Sequence, residues 1–257
     1  KPELIVVIAY GHILKPDFLE WPDRGCVNLH ASLLPKYRGA APINWAIIRG
    51  ETETGVTSMR MVENLDAGEI LLQRRCTISD EETGESLHDR LASLSATVCL
   101  DTIDALETGS IVPIFQVEDE VTYAPRLKKE DAVIDWDTRV VDICRRVRGL
   151  RPWPVARTRW GFDGKSSSVD KDYSGSWLRV WMAKPDAETP QKDECSLDPL
   201  PGTIDALAKT STGENGIRVK AADGWVLLTE VQPEGRRRMD ANSFWQGYRL
   251  KLGPVLG

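Results

Sequence analysis

The sequence predicts an α/β domain on a mostly parallel sheet, then an extended linker, then a small antiparallel β-barrel. Three observations predict it. Up to about residue 112, short apolar runs alternate with helical stretches, the pattern of a parallel sheet with crossover helices. Val112 to about Lys129 carries Pro113 and Pro125 and keeps neither period. From Ala156 onward the chain offers short strands separated by turn signals, as an antiparallel barrel does. The corresponding boundaries are 1–112, a linker at 113–130, and 131–257.

Each element has its own warrant. Leu4 to Ala9 is a continuous apolar run ending at Tyr10-Gly11, as expected of a strand buried on both faces. Cys26 to His30 is a second strand. Pro42 to Arg49 should be a helix, with proline in its first turn and Gly50 as its stop. Gly55 to Met61 alternates as a strand, and Asp66 follows in the next turn. Leu87, Leu91, Leu94, Val98 and Leu106 keep a helical period between Thr83 and Thr108, with Gly109 as the stop. Val140, Val141, Ile143 and Val147 support a short helix before Pro152-Trp153-Pro154. Trp177 to Trp181, Gly216 to Val219 and Trp225 to Val231 are the later strands, while Ser166 to Ser168 and Asp186 to Pro201 are polar loops.

Composition narrows the function classes. Hydrophobic residues make up 41% and charged residues 28% of the 257, the balance of a globular chain with room for two cores. No apolar run approaches the roughly 18 residues that cross a bilayer, and no signal peptide opens the sequence. Cys26, Cys76, Cys99, Cys144 and Cys195 are odd in number and never spaced Cys-x-x-Cys, which argues against disulfides and zinc and fits a reducing cytoplasm. Three histidines are too few for a His-based metal cluster, so no metal is expected. A net charge of −6 speaks against nucleic acid, but its distribution does not. Arg126 to Arg159 holds ten Lys or Arg against five acids, and Arg236-Arg237-Arg238 forms a second cluster with Arg249 and Lys251. Gly164-Lys165-Ser166 is not a phosphate loop, because the glycine required five positions earlier is Arg159.

The chemistry concentrates in Val27-Asn28-Leu29-His30-Ala31-Ser32-Leu33-Leu34-Pro35 and Asn64-Leu65-Asp66-Ala67-Gly68. Asn28 and His30 are two apart, so a strand projects both from one face. An amide can hold an oxyanion, an imidazole can move a proton, and a carboxylate can orient the imidazole and balance its charge. Together they suit moving an acyl group onto an amine. His12 and His88 lie outside any such pattern and are expected to be structural.

Asn28-x-His30-x-Ser32-Leu33-Leu34-Pro35 resembles the signature of the 10-formyltetrahydrofolate-dependent formyltransferases. Lys36 to Ile47, Arg148 to Pro154 and Gln232 to Met239 resemble the methionyl-tRNA branch more than the others. The likeness runs from Ile5 to Gly257, apart from a poorly matching stretch between about Gly161 and Pro201. It implies a Rossmann-like sheet, an OB-like barrel that binds tRNA, and formyl transfer from 10-formyltetrahydrofolate to methionyl initiator tRNA. By the same resemblance Asn28, His30 and Asp66 are catalytic, and Ser32, Leu33, Leu34 and Pro35 wall the folate pocket with Tyr10 and Gly11. Lys36, Arg38, Lys128 and Lys129 are candidates for tRNA phosphates, and a monomer is expected.

One departure stands out: relatives carry roughly eighty further residues before the stretch that resembles Pro2 to Gly11, so an N-terminally truncated sheet is expected. Two other readings stay open. An amino-sugar-nucleotide formyltransferase would keep Asn28, His30 and Asp66 without needing the basic connector and barrel. A catalytically silent folate- or tRNA-binding fragment would follow if the missing strands were indispensable.

Overall fold

The computed structural model describes residues 1–10, 14–160, 176–186 and 199–248. By its contacts the chain divides into two compact units, Lys1–Leu127 and Lys128–Gly257, with the extended connector packed on the first.

The first unit contains β1 (Ile5–Ile8), α1 (Pro16–Leu19), β2 (Cys26–His30), α2 (Pro42–Ile48), β3 (Glu53–Arg60), β4 (Ile70–Thr77) and α3 (Gly84–Glu107). Its strands lie in the order β1-β2-β3-β4. Among the described residues β1 and β2 run parallel, while β2-β3 and β3-β4 are antiparallel. The sheet is therefore mixed rather than mostly parallel. A parallel pair needs a crossover of a dozen or more residues, and only residues 61–69 join β3 to β4. Between β2 and β3 the chain first folds residues 31–41 around the strand end, then enters α2 and returns to set Thr57 opposite His30. β1 is half-buried, with Ile8 56% exposed, because it is the edge of the described sheet rather than a strand covered on both faces.

α3 closes the core over this sheet. Leu87, Leu91 and Val98 repeat at helical spacing and meet Leu29, Ile47 and Val56 in one buried cluster. Each such side chain contributes about 1.5–3 kcal/mol by leaving water. Thr83 starts the helix: its side chain accepts from the Ser86 amide while Ser86 Oγ accepts from the Thr83 amide. β4 was not predicted, because Arg74 and Arg75 interrupt its apolar alternation; these side chains face solvent along the sheet edge.

The second unit holds α4 (Val140–Gly149), β5 (Arg157–Trp160), β6 (Ser176–Pro185), β7 (Ile204–Lys209), β8 (Asn215–Lys220), β9 (Trp225–Pro233), β10 (Met239–Asp240) and α5 (Ala241–Tyr248). The strands form one sheet in the order β5-β6-β9-β8-β7, with β10 on β9 and every pair antiparallel. Among the described residues β5 and β7 do not pair, so the sheet is open and the expected barrel is not closed. Bulges near Met182 and between Ile204 and Leu207 bend the strands, but bending alone does not supply the ladder that closure needs. α5 escaped sequence reading because its eight residues include Asn, Ser and Gly. Tertiary packing secures it instead: Phe244 and Tyr248 each lie 5.0 Å, ring to ring, from Trp160. Ser166 to Ser168, most of the 186–201 loop, Arg249 and Lys251 fall outside the described residues.

Candidate active site

β2 ends in the site. Asn28 and His30 project from one face of it, Asn28 half-buried and opposite Met59, His30 buried and opposite Thr57. No hydrogen bond among the described residues occupies the Asn28 side-chain amide. His30 is oriented from behind. Its Nε2 lies 2.8 Å from the Tyr37 carbonyl oxygen, which can only accept, so Nε2 carries a hydrogen and donates. The other nitrogen, Nδ1, faces Asp66 Oδ2 at 3.7 Å, an ion-pair distance beyond hydrogen-bonding reach. Both side chains are at least nine-tenths buried, so water screens this contact little.

Asp66 is held by the backbone rather than by the imidazole. The Gly39 amide donates to its Oδ2 at 2.8 Å. Gly39 has φ +121°, and a Cβ there would meet the Ala124 carbonyl oxygen at 2.7 Å, so only glycine lets this amide approach. Asp66 itself has φ +50° and Tyr37 has φ +64°, two non-glycine residues in the left-handed region at one site. The connector fixes the Asp66 turn: Gln116 Nε2 donates to the carbonyls of Asp66 and Gly68, both at 2.8 Å. Arg38 Nε then donates to Gln116 Oε1 at 3.0 Å, and its Nη2 pairs with Glu118 at 3.0 Å. The Tyr37 hydroxyl donates to Glu51 at 2.7 Å, and burial together with that carboxylate pushes the phenol far up, so it stays neutral.

The turn after His30 is locked from β3 and β4. Thr57 Oγ1 donates to the Ser32 carbonyl at 2.6 Å and accepts from the Leu34 amide at 3.1 Å and Gln73 Nε2 at 2.9 Å. Gln73 also donates to the Leu34 carbonyl at 2.8 Å. Ser32 is buried, with its hydroxyl on the Lys36 carbonyl, and Leu34 packs with Met59 and Ile70. Leu33 and Pro35 remain partly accessible.

Several expected residues sit differently from the sequence reading. Arg38 was a candidate for phosphate, but it is 4% exposed and engaged by Gln116 and Glu118, so it serves the loop and not a surface. Lys36, Lys128 and Lys129 are exposed, as is Tyr10, and Gly11 lies outside the described residues. Sequence reading missed Tyr37, Gly39, Thr57, Gln73 and Gln116. Their roles rest on backbone groups and long-range contacts: Gln116 is 50 residues from Asp66, and no local period links them. Among the described residues no group of three or more His, Cys, Asp or Glu could hold a metal ion, and no helix is long and apolar enough to cross a membrane.

A two-unit chain with an amide, an imidazole and a carboxylate at a strand end is the layout of a group-transfer enzyme, and the comparisons specify the group. Residues 1–103 match the formyl transferase family model, and residues 126–249 match the formyl transferase C-terminal domain. The chain is 44% identical, over its whole length and 72% of the relative's, to the methionyl-tRNA formyltransferase of Trichlorobacter lovleyi. It is 43% identical to that of Geobacter metallireducens, again over its whole length and 74% of the relative's. The chain belongs to the methionyl-tRNA formyltransferase family. Among solved structures, HypX from Aquifex aeolicus in complex with tetrahydrofolic acid superposes with a TM-score of 0.66 at 18% identity, over 98% of this chain and 40% of that one. An N-formyltransferase from Helicobacter canadensis, in complex with folinic acid and dTDP-3-aminofucose, gives 0.60 at 17%, over 87% and 71%. At these identities the likeness shows the fold alone.

Proposed function

We propose that this chain transfers the formyl group of 10-formyltetrahydrofolate to the α-amino group of methionyl initiator tRNA, the modification that marks the first residue in translation. The observation that carries the reading is the buried His30–Asp66 pair, Nδ1 to Oδ2 3.7 Å, on the strand that also bears Asn28, in a chain whose relatives of over 40% identity bear that name.

The amine nitrogen attacks the formyl carbon and its lone pair forms the new C–N bond. The carbonyl π pair moves onto oxygen, where the Asn28 amide donates to the developing charge. Collapse of the tetrahedral intermediate breaks the bond to N10 of the folate, which leaves with a proton. Because Nε2 of His30 is committed to the Tyr37 carbonyl, Nδ1 is the nitrogen left to take the amine's proton and return it to the leaving nitrogen. Asp66 lies beside Nδ1 and balances the positive charge during that interval, while the Tyr37 carbonyl sets the ring's orientation.

For the folate, Leu33, Pro35 and the backbone of the locked turn form the accessible wall, since the Ser32 hydroxyl and the Leu34 side chain turn inward. Tyr10, exposed at the end of β1, is the described residue that the resemblance adds to it. Lys36, Lys128 and Lys129 are exposed cations available to tRNA phosphates. In this reading the enzyme acts as a monomer in the cytoplasm.

The test is formyl transfer to charged initiator tRNA, with an amino-sugar nucleotide as the competing acceptor. Asn28→Ala should lower kcat roughly 10²–10³-fold with an unchanged Tm. Full activity in a folded Asn28→Ala or His30→Ala protein would end the assignment. Preferential use of the amino sugar would overturn the acceptor, and light scattering checks the monomer.

A further inference from the structure

The connector brings to the site a side chain that the chemistry above does not use. Residues 113–127 belong to the first unit and are attached to two of its loops. Ile114 exchanges backbone hydrogen bonds with Ile70, at 2.8 and 2.9 Å, just beyond the Asp66 turn. Further along, the connector holds the loop that follows His30. The Arg38 amide donates to the Thr122 carbonyl at 2.9 Å, the Ala124 amide to the Arg38 carbonyl at 2.8 Å, and the Tyr37 amide to Thr122 Oγ1 at 2.9 Å. Gln116 lies between these attachments, and its side chain joins the two loops directly. Arg38 Nε can only donate, so the Gln116 atom facing it is the oxygen, and the amide nitrogen faces the Asp66 and Gly68 carbonyls. Both hydrogens of that nitrogen are thereby donated.

The turn it grips is strained. Asp66 sits at φ +50°, a conformation that a non-glycine residue keeps only where its surroundings enforce it. The Gly39 amide holds the carboxylate, whereas Gln116 clamps the backbone on either side of Ala67. A buried guanidinium is costly unless its donors are met, and Arg38, 4% exposed, directs Nε to Gln116 and Nη2 to Glu118. We propose that Gln116, oriented by Arg38, is a positioning residue for formyl transfer, holding the Asp66 carboxylate at the Nδ1 edge of His30. The proposal rests on the roles of His30 and Asp66 given above. The same bridge reaches the partners of both ring nitrogens, since Arg38 follows Tyr37, whose carbonyl accepts from Nε2.

The test uses the full 257-residue chain. Gln116→Met keeps the length without either hydrogen-bonding group. Gln116→Glu keeps an acceptor for Arg38 but turns a second acceptor on the two carbonyls. Both should lower kcat for formyl transfer roughly 10–10²-fold, with the KM for either substrate unchanged. In an Asp66→Asn background Gln116→Met should lower kcat no further, because it acts through that carboxylate. Trp45→Phe removes a connector contact to the Pro125 carbonyl, away from Asp66, and should lower Tm while leaving kcat unchanged. A second readout needs no turnover. The chain has three histidines, so the His30 ring nitrogens can be followed by NMR; at fixed pH their signals in Gln116→Met should move toward those of Asp66→Asn. Should Gln116→Met not fold, Gln116→Glu carries the same readouts. Full kcat in the folded variants, additive losses in the double variant, an equal loss in Trp45→Phe, or unmoved His30 signals overturn the inference. If the signals move while the parent transfers no formyl group, the activity reading fails alone. If transfer proceeds with kcat and signals unchanged in the variants, the positioning role fails alone.

Discussion

Thr57 holds more of the site together than its size suggests. One hydroxyl ties the Ser32 carbonyl, the Leu34 amide and the Gln73 amide group into a buried node beneath the turn that follows His30. Thr57→Val keeps the volume but orphans the Ser32 carbonyl and the Leu34 amide, at about 1–3 kcal/mol for an unsatisfied buried polar group, while Gln73 keeps its bond to the Leu34 carbonyl. The expected outcome is a lower Tm and a raised KM for the folate, with kcat less affected because Asn28 and His30 sit on the strand itself. Steady-state kinetics alongside a melting curve would show it, and an unchanged KM would place the folate elsewhere. Gly39→Ala should do the reverse. Its Cβ would sit 2.7 Å from the Ala124 carbonyl, so the amide must retreat from Asp66. That should lower kcat more than it raises either KM; an unchanged kcat would show that Asp66 needs no such anchor. Asn28 and His30 were legible from their spacing. Tyr37, which orients the histidine, was not, because it acts through its carbonyl and any residue has one.

Helix starts give predictions at the scale of the element. Asp240 stands just before α5; its Oδ1 accepts from the Ser243 amide at 2.9 Å and its Oδ2 from the Ser243 hydroxyl at 2.6 Å. Those hydrogen bonds to Ser243 lower the carboxyl's pKa in the folded state. A lowered folded pKa adds stability above the ordinary carboxylate range, and that stability is lost as the pH falls through the folded value. Asp240→Ala should therefore destabilise the second unit by about 1 kcal/mol near neutral pH. Asp240→Asn should retain much of the cap while flattening the acid limb of the Tm-against-pH curve. An unaltered acid limb in Asp240→Asn would remove this group from the pH dependence. Neither this cap nor the helix over Ala241–Tyr248 is among the elements read from the sequence. Its eight residues depend on Phe244 and Tyr248 meeting Trp160, a contact across the chain that no window around α5 contains. α3 was legible for the opposite reason: its stripe is long and regular and its cap is local.

Across the whole molecule, buried thiols offer one reporter in each unit. Cys26 in the first and Cys144 in the second are buried and free. Burial raises both thiols, Cys144 to about 12, so almost no thiolate exists at pH 8. Iodoacetamide at that pH should spare both in the native protein and reach the half-buried Cys76 and Cys99 sooner. Rising urea should then expose Cys26 and Cys144, each at the midpoint of its own unit, as read by mass spectrometry of the labelled peptides. Rapid native labelling of Cys144 would contradict the packing of α4.

By itself the sequence singled out Asn28, His30 and Asp66 as candidates, and showed that strands and helices alternate before the connector and where the long helix begins. These depend on local patterning: apolar period, caps, and the fixed alternation of side chains along a strand. Only the tertiary structure decided that the first sheet is mixed and the second open. It alone assigned Arg38 to a loop rather than a surface, and gave the histidine its orientation from a backbone carbonyl. Strand direction, closure and backbone hydrogen bonds are settled between segments far apart in the chain, where side-chain identity carries little information about the partner.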